Sequence, residues 1–250
     1  MEKELLDRKE SRDEKMEGYA LNNIEQDGFR AILGNFAHQI IRTRNFLPMT
    51  QKMKNIIFDL GGVLVDLDER SCIEAFEAIH APGVGDYVRD HRTEDLFWDI
   101  EIGHSTTEEF CHEARRISGT AADDEQIIWA WNQLLPGITD VKKSRLLELR
   151  QHYRLFLLSN TNDMHWRRCE QFFGQDGHRV EDYFERVFLS YKMHLVKPSA
   201  EIFRQVISET GIKAEETLFI DDSPANCQTA CQLGIHTLLN TTADEWLYKI

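Results

Sequence analysis

The sequence predicts an α/β fold: a parallel sheet covered by helices on both faces, with a small helical insert after the first strand. Three observations predict it. Short apolar runs alternate with helical patterns from residue 54 onward, which is the signature of parallel strands joined by crossover helices. Those runs are apolar at every position rather than at alternate ones, as strands buried on both faces must be. The interval between the first and second runs is much longer than a βα crossover requires, so it must hold something extra.

The strands read as 55–58 (NIIF), 154–158 (RLFLL), 186–189 (RVFL), 217–220 (TLFI) and 235–239 (IHTLL). Helical spacing covers 140–152, 162–173, 199–210 and 223–233. In the third of these, Ile202, Phe203, Val206 and Ile207 recur on one face. The long interval, 69–135, reads as four helical segments: ERSCIEAFEAIH, TEDLFWDIEIG, STTEEFCHEARRIS and ADDEQIIWAWNQLL. Pro82-Gly83 and Pro136-Gly137 punctuate it, and Ser105 or Thr106 with Glu108 or Glu109 forms a capping-box pattern. An insert there emerges over the carboxyl ends of the strands, where open α/β sheets bind ligands. The expected organisation is a core of 54–68 and 136–250, a helical insert of 69–135, and an N-terminal extension of 1–53. The extension carries nine basic and nine acidic residues, so the negative balance of the chain lies downstream of it.

Composition excludes several classes. The 250 residues carry 29 Lys and Arg against 43 Asp and Glu, a net charge of −14, which repels nucleic acid and anionic membranes. No apolar run is long enough to span a bilayer, and the charged N-terminus lacks the apolar core of a secretory signal. Five cysteines without a CxxC pair suit a reduced, cytoplasmic protein. Cys227 and Cys231, one helical turn apart, read as core residues before metal ligands. The ten histidines show no zinc spacing.

Chemistry-bearing residues gather just past the strands. Asp59 ends the first, Ser159 and Asn160 the second, and Asp221 and Asp222 the fourth. Lys197 follows the third, just before Pro198, a candidate first residue of the next helix. In a parallel sheet all of these meet at one edge. Carboxylates, a hydroxyl and a lysine converging there suit Mg²⁺ and a phosphate group: oxygen ligands for the cation, a cation and a donor for the anion.

The ordered set FDLGGVLVD, LLSNTN, VKPSAEIF and FIDDSPAN resembles the four motifs of the haloacid dehalogenase superfamily, over about residues 54–240. Within it, the chain is most similar to the bacterial group that includes α-D-glucose-1-phosphate phosphatase. The resemblance implies a Rossmann-like core with a C1-type cap, and a Mg²⁺-dependent phosphatase of a small phosphorylated, sugar-phosphate-like metabolite. It implies Asp59 as the nucleophile and a metal ligand, Gly61 as a carbonyl ligand and Asp222 as the direct metal ligand with Asp221 in support. Ser159 and the Asn160 amide would hold phosphate oxygens, and Lys197 would bridge phosphate and nucleophile. Two other readings stand beside it: a hydrolytic 2-haloacid dehalogenase, and a catalytically weakened phosphate-binding or scaffold protein.

Gly61 departs from the pattern. Most phosphatases of this superfamily carry a second aspartate two residues after the nucleophile, as general acid and then base. Glycine moves no proton, so the first expectation is strong dependence on leaving-group pKa. Asp66 and Asp68 either substitute for that acid or end the turn and cap the next helix.

Overall fold

The computed structural model describes residues 53–89, 96–242 and 244–250, all within one compact unit, Gln51–Ile250. The extension expected over 1–53, save Met53, and the start of the TEDLFWDIEIG segment lie outside the described residues. The sheet has five parallel strands: β1 (Asn55–Phe58), β2 (Arg154–Ser159), β3 (Arg186–Leu189), β4 (Thr217–Asp221) and β5 (His236–Leu239). Their order is β3-β2-β1-β4-β5, with β1 in the centre. Ile57 is in register with Phe156 on one side and Phe219 on the other.

Strand alternation sends successive side chains to opposite faces, and each face is sealed by helices. On one face Ile56, Phe58, Leu155 and Leu157 meet Leu146 and Leu149 of α6 (Asp140–Arg150) and Trp166, Phe172 and Phe173 of α7 (Asp163–Gly174). On the other, Ile57, Phe156, Leu158 and Phe219 meet Ile202, Phe203 and Val206 of α10 (Ala200–Thr210) and Ala230 of α11 (Pro224–Gln232). Two short helices, α8 (Val180–Tyr183) and α9 (Ser190–Met193), flank β3. Burial of this kind contributes about 1.5–3 kcal/mol per large side chain, which is why the all-apolar strand pattern locates the sheet so well.

Five helices lie between β1 and α6: α1 (Glu69–Ala78), α2 (Pro82–Arg89), α3 (Leu96–Glu101), α4 (Thr107–Ser118) and α5 (Asp124–Asn132). They enclose a separate apolar cluster built from Phe76, Phe97, Phe110, Ile127 and Trp131, into which α7 contributes Met164. The capping box falls at Thr106 and Glu109, and a second one forms at Asp123 and Gln126. One element differs from expectation. Pro82-Gly83 does not interrupt the insert but opens α2, because a proline at the first helical position loses no hydrogen bond. Conversely, Pro198 stays outside α10, which is capped instead by Ser199.

Trp131 joins the insert to the core. Its ring stacks on Phe97 and on His165 of α7, each at 4.5 Å between centroids, and the His165 Nε2–H donates to the Trp131 carbonyl at 3.2 Å. Burial holds the His165 imidazole down from 6.5 to about 4. The unfolded chain therefore binds the extra proton first. The His165 contribution is complete above pH 6.5 and is lost as pH falls toward 4, by roughly 3 kcal/mol for a shift of this size. The difference in urea stability between the wild type and His165→Gln across that window should show this loss. A difference that stays constant with pH would assign the loss to other groups.

Candidate functional site

Because the strands are parallel, their carboxyl ends share one edge, and the loops leaving that edge carry the polar set. Asp59 continues β1 by one ladder bond, its N–H donating to Ile220 at 2.9 Å. The chain then turns back on itself: the N–H groups of Leu64 and Val65 both donate to Leu60 at 2.8 Å, and Gly62 donates to Val65 at 2.9 Å. Gly62 has φ 71°, and a Cβ there would lie 2.2 Å from Asp222 Oδ2. Only glycine fits. Gly61 is different: its φ is not positive, and a Cβ would meet Leu67 at 3.4 Å, ordinary contact. The missing acid at this position is therefore a chemical choice of the sequence and no demand of the turn.

Lys197 is the centre of the site. Its Nζ is 2.8 Å from Asp59 Oδ1, 2.7 Å from Asp221 Oδ2 and 3.0 Å from the Leu158 carbonyl, three acceptors for three protons. Asn160 fixes this loop in place, its amide donating to the Lys197 carbonyl at 2.9 Å while its Oδ1 accepts from the Lys197 N–H at 2.8 Å. Ser159, at the end of β2, is buried. Thus Asp59, Ser159, Asn160, Lys197, Asp221 and Asp222 all come to the one edge.

The two acids of β4 are placed unlike each other. Asp221 is fully enclosed and its oxygens are committed: Oδ2 to Lys197, Oδ1 to the Ser223 N–H at 2.8 Å and the Asn226 amide at 2.9 Å. Asp222 is exposed, with its carboxylate toward Gly62. Burial, against the pull of Lys197 and reinforced by Asp221, raises the Asp59 carboxyl to about 7. Burial and Asp221 also raise Asp222. One carboxylate oxygen from each of Asp59, Asp221 and Asp222 lies within 4.8 Å of the others. Three acids facing a single lysine leave excess negative charge in a desolvated cleft. A hard dication with oxygen ligands fits that donor set and would relieve it.

Asp66 and Asp68 do not reach this cluster. Asp66 accepts from Lys142 Nζ at 2.9 Å, and Asp68 caps α1 by accepting from the Ser71 N–H at 2.9 Å and hydroxyl at 2.7 Å. Asp68 thus caps the helix, as one alternative had it, while Asp66 is engaged by Lys142. Cys227 is buried and Cys231 exposed, so the pair does not face one ligand. What spacing could not reveal is Glu101, the last residue of α3, whose carboxyl lies half-buried within the field of Lys197. It belongs to an element remote from every motif and has no sequence signal of its own.

The description haloacid dehalogenase-like hydrolase matches residues 53–234. The chain belongs to this family. Among its relatives is the D-ribitol-5-phosphate phosphatase of Bacteroides thetaiotaomicron, 31% identical over 200 residues, 79% of this chain and 97% of that protein. A haloacid dehalogenase family enzyme from the same bacterium has been solved with magnesium and inorganic phosphate. It is 42% identical and superposes with a TM-score of 0.73 over 78% of this chain and 99% of its own. A predicted hydrolase of the family from Porphyromonas gingivalis is 38% identical, with a TM-score of 0.72 over 79% and 95%. In this haloacid dehalogenase-like hydrolase, the motif residues Asp59, Ser159, Lys197, Asp221 and Asp222 lie together at the carboxyl edge of the sheet. Among the described residues, no helix is long and apolar enough to cross a membrane.

Proposed function

We propose that the protein is a Mg²⁺-dependent phosphatase of small phosphorylated metabolites, of the sugar- or polyol-phosphate class, working through an aspartyl-phosphate. The observation that carries this is the buried Lys197 spanning Asp59 and Asp221, with the exposed Asp222 beside them. The ribitol phosphate named for the relative supports the substrate class.

In this reading Asp59 attacks phosphorus through the oxygen that Lys197 does not hold. Lys197 neutralises phosphate charge while fixing the attacking carboxylate. The Ser159 hydroxyl and the Asn160 N–H hold phosphate oxygens. Asp59, Asp222 and the Gly61 carbonyl would hold Mg²⁺, with Asp221 bracing Lys197 and the start of α11. When bound, the metal neutralises developing charge on the phosphoryl oxygens. Helices α1–α5, about 69–135, would act as the cap over a core of 54–68 and 136–250, with 1–53 as an extension. Free cysteines support a cytoplasmic location.

The three-acid cluster also favours this reading over a metal-free dehalogenase, which has no use for so much negative charge around its nucleophile. The test is phosphate release from a panel of sugar and polyol phosphates, with Mg²⁺ and after chelation. Release with Mg²⁺, lost on chelation and restored by metal, is expected. No release from any phosphate, or release indifferent to chelation, would overturn the assignment.

A further inference from the structure

The family's usual proton donor is absent at Gly61, and neither nearby aspartate is free to replace it. The structure offers a carboxyl from another direction. The carboxyl end of α3 is fastened to the loop that carries Lys197. Ser190 Oγ donates to the Glu101 carbonyl at 2.6 Å and accepts from the Thr161 N–H at 2.9 Å, two residues beyond Ser159. The His194 Nδ1–H donates to the Ile102 carbonyl at 3.0 Å. At Gly103 (φ 76°) the chain passes so close to Tyr191 that a Cβ would lie 2.1 Å from its carbonyl. Three successive residues are thus pinned to the segment between β3 and Lys197, so Glu101 has a fixed place beside the site.

Ser190 holds its carbonyl, while its half-buried carboxyl has no hydrogen-bond donor or ion-pair partner among the described residues. Among the described residues, the one charged group that acts on it appreciably is Lys197. Burial, the larger effect, raises it to about 7 against that attraction. A carboxyl in this range exchanges protons readily at neutral pH.

We propose that Glu101 is the general acid and base of the reaction, supplied by the insert in place of the residue missing at Gly61. This rests on the phosphatase reading. In the first step an Asp59 oxygen bonds to phosphorus and the phosphorus–oxygen bond to the leaving group breaks. The departing oxygen keeps that electron pair and takes the proton of Glu101, leaving an alcohol and a Glu101 carboxylate. In the second step a water oxygen bonds to phosphorus, and the bond to Asp59 breaks with its electron pair returning to the carboxylate. Glu101 accepts the water proton, inorganic phosphate departs, and the starting state is restored. A primary alcohol, the leaving group of a polyol 5-phosphate, needs that proton most.

Leaving-group dependence tests this. With Mg²⁺ present, the wild type and Glu101→Gln are compared on an alkyl phosphate and on p-nitrophenyl phosphate, whose leaving group departs without a proton. The phosphorylated enzyme is trapped by rapid quench. Glutamine keeps the shape and moves no proton. For the alkyl phosphate, kcat should fall about 10²- to 10⁴-fold. With p-nitrophenyl phosphate, p-nitrophenol should still appear as a fast burst, with phosphoenzyme accumulating because water attack has lost its base. Gly61→Asp in the Glu101→Gln background should recover part of the alkyl activity, since the backbone at Gly61 accepts a side chain. Equal losses on both substrates without a burst, or alkyl turnover near wild type, would overturn the proposal while leaving the phosphatase reading intact. A wild type inert toward both and toward the whole sugar- and polyol-phosphate panel would overturn both.

Discussion

Asp59→Asn should give a folded protein with kcat for phosphate release lowered by about 10⁴-fold or more, the scale of losing a covalent nucleophile. The amide occupies the same space and still lets its oxygen accept from Lys197 Nζ, now at 2.8 Å from Oδ1. It lacks the negative charge that makes the carboxylate attack phosphorus. Because Lys197 keeps its bond to Asp221 at 2.7 Å, the cluster should not collapse. Circular dichroism and thermal unfolding should match the wild type while rapid quench detects no phosphoenzyme. Turnover within tenfold of wild type would remove Asp59 from the reaction.

Lys197→Met should be the most damaging single change to stability in the site. The methionine fills the aliphatic path but leaves Asp59 and the fully enclosed Asp221 facing each other without a cation. Breaking a buried pair in this way costs about 3–5 kcal/mol, since the remaining charges stay desolvated. The sign of its pH dependence follows. Without the lysine, Asp59 loses the attraction that opposes its burial, so the native state favours its protonated form still more strongly. The deficit should be small near pH 4 and grow as pH rises. Urea unfolding of chelator-treated protein at pH 5 and pH 8 gives the comparison. A deficit equal at both, or none, would mean that Lys197 is not what holds these acids together.

The sheet was legible because its strands are apolar on both faces, so periodicity alone separated NIIF, RLFLL and TLFI from the helices between them. Parallelism then brought Asp59, Ser159, Lys197 and Asp221 together without any further information. Local chemistry was legible too, as in the Thr106–Glu109 capping box. The insert was harder. Pro82 is both a turn residue and a helix opener, and which one applies is set by the turn before it, where the Ala81 N–H donates to the Phe76 carbonyl at 2.8 Å. Glu101 was invisible for a deeper reason. Its significance comes from Ser190, Thr161 and Lys197, between 60 and 96 residues further along the chain. No spacing rule connects residues brought together only by the packing of one layer on another. Gly61 and Gly62 read alike in the sequence, and only backbone geometry shows that one is obligatory and its neighbour is not.

The turn after Asp59 is fastened at its far side by the last part of the chain. Asn240 donates to the Gly62 carbonyl at 2.9 Å, and the indole of Trp246 donates to the Val63 carbonyl at 3.2 Å while packing on Phe58 at 5.0 Å. Asn240 in turn accepts from the Trp246 N–H at 3.1 Å. During synthesis, Asp59 leaves the ribosome almost 190 residues before the tryptophan that braces its loop. At about 5–20 residues per second, the nascent chain waits some ten to forty seconds with Asp59 unframed. Premature termination anywhere before Trp246 would leave that turn without the indole that holds the Val63 carbonyl.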